Sequence, residues 1–453
     1  MKVLAIHASH DGCVTYVKNN KIVFHTQLDR YNRFKHTTFP VKPIIEIIEN
    51  LEIDKILITS LAIHSSTRIW DNVLRKESKL KNLDILYYED YYHHILHAYC
   101  ALIWDTKIKN ILVCDGGGAK YKNDTNERES LYFNVKNKIQ HISTENNGIG
   151  KKYERFTKVH FGHPLACGKT MAWSLHDERA AKMQNSFETE MTNLIDQWDL
   201  KNSLHFTGGC AQNVLYNSKL LNRFNNLFCD PFNGDFGISI GAANFFLGGK
   251  IKNKEIYLGI PQDLNLDIFM KHKIYNVTPD EVAKVVLNEP VAIFQSRSEQ
   301  GQRGLGNRSL LMNPIHEKAH EKMNAIKKRE WFRPFACSIL KEKAKEWFEM
   351  PIEESPYMMY VFKIKKKGIM TTGLSKNDDS RIQTVTKKDN LHYYNLIKAF
   401  DKLTKIPILI NTSLNLPGEV LVETMQDLKD LFDNSNLNYI YLPEIGKMIK
   451  KNN

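Results

Sequence analysis

Apolar residues come in short runs that stop at glycine or polar clusters. Val3–Ile6, Val14–Val17 and Ile22–His25, the last two separated by Lys18-Asn19-Asn20, predict strands joined by a tight turn. Further along, Ile111-Leu112-Val113-Cys114 runs into Asp115-Gly116-Gly117-Gly118, and Leu204-His205-Phe206 into Thr207-Gly208-Gly209. Val291–Phe294 and Pro407–Ile410 end in the same way, the second at Asn411-Thr412-Ser413. Strands that end in such clusters suit an α/β fold, where ligands sit beyond the carboxyl ends of strands. Helical periodicity marks 92–104 and 183–198. The pattern lapses after Gly248-Gly249 and restarts at Thr278-Pro279-Asp280-Glu281, an N-cap followed by proline and acids. This divides the chain into domains at 1–260 and 275–453. No internal sequence repeat is visible.

Composition narrows the class. The 453 residues are 42% apolar and 25% charged, an ordinary globular balance for more than one core. No apolar run reaches the roughly 18 residues of a membrane span, and the opening Met1–Ile6 turns polar too soon for a signal peptide. Seven cysteines are scattered without a C-x-x-C pair, which points to a reducing cytoplasm. The net charge of +12 favours anionic partners such as phosphates, nucleotides or nucleic acid.

Chemistry concentrates at a few points. His93 and His97 are four apart, so on a helix both imidazoles leave one face a turn apart and can chelate one metal. Asp115 ends a buried-type strand, where a carboxylate can ligate a cation, and Gly116, Gly117 and Gly118 allow close phosphate approach. Gly208, Gly209 and Asn213 form a second glycine turn before a helix, also suited to a nucleotide. Asp235 opens a small-residue segment whose glycine and alanines are explained by close packing, whereas the acid is not. In the second half, Arg297–Ser309 holds three arginines among glycine turns. Lys327–Arg333 adds four more cations, and Arg381 stands in the apolar Ile382–Val385 context. Arginine forks match phosphate and carboxylate oxygens.

Taken in order, these segments resemble one family. They are His10-Asp11, Arg30–His36, His93–Ala98, Asp115–Gly118, Gly168–Met171, Gly208-Gly209, Gly241–Ala243, Gly306–Ser309, Arg329–Ala336, Arg381–Val385 and Asn411–Asn415. Together they resemble the carbamoyltransferase family of the nodulation-factor and tobramycin O-carbamoyltransferases, nearly end to end. The resemblance implies an actin-like, sugar-kinase-like ATPase N-terminal domain, similar to the proteins that transfer threonylcarbamoyl to tRNA. It implies an α/β C-terminal domain similar to the threonylcarbamoyl-adenylate synthase fold. The C-terminal domain is then expected to convert carbamoyl phosphate and ATP to a carbamoyl adenylate. The N-terminal domain transfers the carbamoyl group to a hydroxyl with a bound metal, usually iron.

Carried over by position, the resemblance makes His93, His97, Asp115 and Asp235 the metal ligands, a mixed set that suits iron, manganese or zinc. His10 becomes the base, with Lys35 and His36 lining its pocket. Gly116, Gly117, Gly118, Gly208, Gly209 and Asn213 are nucleotide-binding positions. Arg303, Arg308, Lys328, Arg329, Arg333 and Arg381 grip carbamoyl phosphate and ATP, with Asn411, Ser413 and Asn415 as neutral partners. Gln302 and Cys337 stand where the family commonly has proline, and Gly304 where it has alanine.

Two other classes compete. An actin-like ATPase or sugar kinase would use the glycine loops and leave the arginine-rich half unexplained. A nucleic-acid-binding protein would use the charge alone and leave the intact ligand set unexplained. Within the transferase reading, the acceptor is a small-molecule natural product, a sugar, or a hydroxymethylated pyrimidine in DNA. The positive charge favours the last, a DNA modification, through counterion release. Lys151–Lys158 and Lys363–Lys367 are the expected contacts, with Tyr153 and Phe156 available for stacking.

Overall fold

The computed structural model describes residues 1–60, 66–77, 84–88, 92–104, 106–119 and 126–452. The chain forms two compact units, Met1–Leu258 and Gly259–Asn453. Residues 261–274, left between the domains by the sequence pattern, belong to the second unit, which begins at Gly259. Phe269 lies in its core, with Leu264, Leu266 and Ile268 packed against that core.

The first unit holds two five-stranded sheets. The opening strands are β1 (Lys2–His7), β2 (Cys13–Lys18) and β3 (Lys21–Gln27), and they form the expected antiparallel set. Asn19 and Asn20 take positive φ at the tight turn, a conformation asparagine tolerates better than most residues. With β4 (Lys55–Thr59) and β5 (Ile85–Tyr88) the sheet order is β3-β2-β1-β4-β5, and β4 and β5 run parallel to β1. The second sheet comprises β6 (Asn110–Cys114), β7 (Glu129–Val135), β8 (Lys138–Glu145), β9 (Ser203–Thr207) and β10 (Asn226–Cys229). Its order, β10-β9-β6-β7-β8, repeats the first: an antiparallel meander, then two parallel strands on the other side of its first strand. This duplication of topology fits the actin-like expectation. It left no trace as a sequence repeat because only the backbone path is repeated.

Two helices join these sheets. Ile238–Phe246 packs on β1 and β2, His93–Ala101 packs on the second sheet, and the helices pack on each other. Gly241 makes that contact possible, since a Cβ there would stand 2.0 Å from the Leu96 carbonyl oxygen. The helix expected over 92–104 is α-helical from His93 to Ala101 and 3-10 from Leu102 to Trp104.

The second unit is a nine-stranded mixed sheet. Its strands are β11 (Lys273–Asn276), β12 (Val291–Phe294), β13 (Arg308–Met312), β14 (Ala336–Leu340), β15 (Val361–Lys363), β16 (Asp379–Val385), β17 (Ile408–Ser413), β18 (Tyr439–Leu442) and β19 (Lys447–Lys450), in the order β11-β19-β18-β12-β13-β17-β14-β16-β15. Thr278 caps the helix Pro279–Val286 in a full capping box with Glu281, as the sequence predicts. No helix among the described residues is long and apolar enough to cross a membrane.

Candidate active site

The packed helices of the first unit bring four side chains to one point. His93 and His97 leave the same face of their helix, Asp115 follows β6, and Asp235 precedes the helix Ile238–Phe246. One ligand atom from each lies within 4.8 Å of all the others. His93 Nε2 is 3.1 Å from Asp115 Oδ2 and 3.6 Å from Asp235 Oδ1; His97 Nε2 is 3.7 and 3.6 Å from the same two oxygens. For metal–ligand bonds of about 2.1 Å, neighbouring ligand atoms stand about 3.0–3.4 Å apart, so the set fits a cation with little adjustment. His97 Nε2 is buried and has no hydrogen-bond partner among the described residues. A bare pair of buried carboxylates and an unpaired imidazole is costly, and a divalent cation resolves both defects. Gly209 N–H donates to Asp115 Oδ1 at 3.1 Å and fixes that carboxylate, and a Cβ at Gly209 would stand 2.6 Å from the same oxygen.

The electrostatics follow from this crowding. Burial works against charge on His97, but Asp115 and Asp235 overcome it and hold the imidazole up to about 9. Asp235 is likewise the main reason that His10 is pushed up to about 10. His10 Nε2 is 3.3 Å from Asp235 Oδ2, and its Nδ1 is 3.5 Å from Asp11. Asp11 Oδ1 in turn meets His36 Nδ1 at 2.6 Å, and His36 stacks on His163 with ring centroids 5.2 Å apart. Asp11 and His36 both have positive φ, 57° and 61°, so backbone strain is concentrated on this rim. Lys35 is exposed beside it.

Two residues here escaped the sequence reading. His163 sits in an exposed loop with no motif of its own. His7 is fully buried, with Nε2 3.8 Å from Asp235 Oδ2, and burial lowers its affinity for a proton, keeping the ring neutral. In sequence it reads only as the first polar residue after the strand Val3–Ile6.

The glycine positions serve mainly the protein itself. Gly116 O accepts from Arg128, and the space over Gly116 and Gly118 is filled by Glu154 and His94. Asn213 is engaged as the N-cap of Val214–Leu220 and in paired bonds with Gln184.

In the second unit, Arg303, Arg329, Arg333 and Arg381 converge from the loop before β13, the loop before β14 and β16. Burial, then Arg333 and Arg329, hold Arg303 down to about 10. Burial, then Arg333 and Arg381, hold Arg329 down to about 9, and Arg381 is lowered further by burial, Arg303 and Arg333. Arg303 Nε and Arg381 Nε have no hydrogen-bond partner among the described residues. Glu330 meets Arg333 at 3.3 Å. Half-buried guanidinium groups that repel one another have the chemistry to take an anion.

Two cations of the expected grip lie elsewhere. Arg308 is fully buried, stacks 3.7 Å from the Phe294 ring centroid, and gives its terminal N–H groups to the carbonyls of Gln295, Ser296, Asn307 and Glu423. It is a brace of the core, because the first residue of β13 points inward. Lys328 takes a left-handed conformation at the helix end and is exposed. Its neighbour Lys327 is buried, with Nζ 2.6 Å from Ser413 O and 2.7 Å from Asn415 Oδ1. Ser413 and Asn415 bond to each other in that knot, and Asn411 bonds Ser338 and Gln383. Arg308→Ala is therefore expected to cost at least about 3 kcal/mol of stability by stranding buried carbonyls, read as a lowered denaturation midpoint. Lys328→Ala should leave that midpoint unchanged.

Comparison with known proteins identifies the family. The family model for the carbamoyltransferase C-terminus matches residues 282–449, and that for the carbamoyltransferase N-terminus matches residues 176–244, together more than half of the chain. The chain belongs to the carbamoyltransferase family, a family of enzymes. It is 26% identical to an uncharacterized protein of Methanocaldococcus jannaschii over 97% of this chain and 98% of that protein. It is 35% identical to nodulation protein NolO of Bradyrhizobium diazoefficiens over 52% of this chain and 47% of that protein. It is 30% identical to the 3'-hydroxymethylcephem-O-carbamoyltransferase of Amycolatopsis lactamdurans over 50% of this chain and 43% of that protein. The matches to these last two span about half the length of each.

Proposed function

We propose that the protein is an O-carbamoyltransferase: water releases phosphate from carbamoyl phosphate, the carbamate oxygen bonds to the α-phosphorus of ATP as pyrophosphate leaves to give a carbamoyl adenylate, and the carbamoyl group then passes to an acceptor hydroxyl. The observation that carries this reading is that each unit holds one cluster suited to one half of that chemistry. The arginine cluster of the second unit suits phosphate-bearing donors, and the His/Asp cluster of the first suits a transfer step. When bound, a divalent metal, with iron as the family expectation, supplies positive charge for the developing oxyanion.

The chain's own residues supply the rest. His93, His97, Asp115 and Asp235 hold the cation, and Gly209 N–H keeps Asp115 in place. His10 takes the acceptor's hydroxyl proton as the oxygen bonds to the carbamoyl carbon and AMP leaves. Because Asp235 is what holds His10 protonated, base and ligand set work as one electrostatic unit: His10 can accept a proton only once the charge of Asp235 is offset. Asp11 and His36 orient His10 from the solvent side.

For the acceptor, the net charge of +12 supports a polyanion, and the relative named for 3'-hydroxymethylcephem supports a hydroxymethyl group. A hydroxymethylated pyrimidine in DNA combines both. The segments first singled out do not carry this reading. Tyr153 is buried and bonds Gln184, Lys151 and Lys152 pair with Glu154 and Glu190, and Lys366 and Lys367 pair with Glu346 and Asp378.

Isotope-labelled carbamoyl phosphate with ATP tests the assignment and is expected to yield a labelled carbamoyl adenylate. ATP hydrolysis without label transfer would replace it with a kinase-like ATPase. For the acceptor, mass spectrometry should find one added carbamoyl group on hydroxymethylated DNA, with activity falling as salt rises. Activity confined to a panel of hydroxylated sugars would remove DNA and leave the transferase standing.

A further inference from the structure

The two oxygens of Asp235 face different neighbours. Oδ1 lies 3.6 Å from both His93 Nε2 and His97 Nε2, on the side of the clustered ligands. Oδ2 faces the other way, 3.3 Å from His10 Nε2 and 3.8 Å from His7 Nε2. His10 is partly exposed and has a role in the transfer reading. His7 is fully buried and has none.

Strand register explains how His7 comes to be there. β1 and β4 run parallel, with His7 opposite Thr59 as the last residue of each strand. Both side chains therefore stand at the carboxyl end of the sheet, the edge at which the ligands gather. His7 Nδ1 is 2.7 Å from Thr59 Oγ1, and Thr59 is also buried. His7 Nε2 has no hydrogen-bond partner among the described residues, and neither does Asp235 Oδ2.

Donor and acceptor counting settles which nitrogen carries the proton. An ionised carboxylate only accepts, and a neutral imidazole has one N–H. If that N–H sat on Nδ1, the Nε2 lone pair would face the Oδ2 lone pairs in a dry site. If the Thr59 hydroxyl donates to Nδ1, the N–H sits on Nε2 and faces Oδ2. The second tautomer turns a donor rather than a lone pair toward Oδ2, so it is the one assigned. At 3.8 Å the approach is electrostatic, longer than a made hydrogen bond.

We infer that His7, set by Thr59, is a positioning residue of the metal centre: it holds Asp235 Oδ2 from behind and so turns Oδ1 toward His93 and His97. A partner behind a ligating carboxylate fixes its orientation, and loss of such a partner weakens metal binding by about 10–100-fold. The inference rests on the metal reading given above and adds to it the residue that aligns one of its ligands.

The test uses the full chain stripped of metal and titrated with Co(II). Binding is followed by calorimetry and by the visible absorption of the bound ion, and folding by the melting temperature of the metal-free protein. Wild type is expected to bind one Co(II) per chain. His7→Leu should melt like wild type without metal but bind Co(II) about 10–100-fold more weakly, with a shifted absorption band. His7→Gln, which keeps an N–H at similar reach, should recover most of the affinity and the wild-type band. Thr59→Val should fall between the two. If His7→Leu destabilises the fold, His7→Gln and Thr59→Val still decide the matter. Wild-type affinity in His7→Leu or Thr59→Val, or equal loss in His7→Gln and His7→Leu, overturns the inference. Failure of wild type to bind Co(II) or Fe(II) overturns the metal reading itself.

Discussion

Asp115→Asn is expected to abolish carbamoyl transfer, by about 1,000-fold or more, while carbamoyl adenylate formation stays within about twofold of wild type. The drop corresponds to ~4 kcal/mol of lost charge stabilisation at the transferring centre. Asparagine keeps the shape and the oxygen that accepts from Gly209 N–H, so the loop stays in place. It removes the ionised ligand that meets His93 at 3.1 Å and His97 at 3.7 Å. His97→Ala should act the same way. The two half-reactions are separated by following pyrophosphate release that depends on carbamoyl phosphate, and transfer to acceptor, in the same preparation. Equal loss of both, in protein with a native melting profile, would contradict the division of labour between the units.

Arg381→Ala is expected to lower kcat/KM for carbamoyl phosphate by about 10- to 100-fold, the loss of one charge-assisted phosphate contact. It should also leave the ligand-free protein as stable as wild type or more stable. Arg381 is a half-buried cation pressed by Arg303 and Arg333, so its removal relieves repulsion. Arg303→Ala should repeat the pattern. The two readouts move in opposite senses here, whereas Arg308→Ala lowers stability. Unchanged kinetics at limiting carbamoyl phosphate would reduce the cluster to surface charge.

What could be read in the sequence was local. The opening strands were legible because two asparagines and the alternation around them specify a tight turn over a few residues. His93 and His97 were legible because helical spacing alone puts them on one face, and Asp115 because a strand end with glycines signals ligand chemistry. The rest depended on partners far away or on helix phase. Arg308 looked like a phosphate ligand because glycine and asparagine precede it; only β13, packed between β12 and β17, shows that it points inward. Lys327 and Lys328 are adjacent lysines, and which is buried depends on where the helix ends. Tyr153 lies on the inner face of Ile149–Phe161 with Ile149 and Thr157, a helical spacing that was present in the sequence and went unread. His7 acquires meaning only through a parallel pairing with Thr59, 52 residues on.

The repeated topology of the first unit also sets an order of assembly. Each sheet begins with a meander of neighbouring strands, whose contacts close quickly because little chain separates them. The parallel strands β4, β5, β9 and β10 must wait for their crossovers. The candidate ligand residues are spread across these events: His93 and His97 lie between the two sheets in sequence, Asp115 follows the first strand of the second, and Asp235 follows its last. During synthesis the meanders can therefore form long before the centre can. A chain released before Asp235 has three of the four candidate ligand residues but lacks the helix Ile238–Phe246 that packs against theirs, so the site ripens only when the whole unit has emerged.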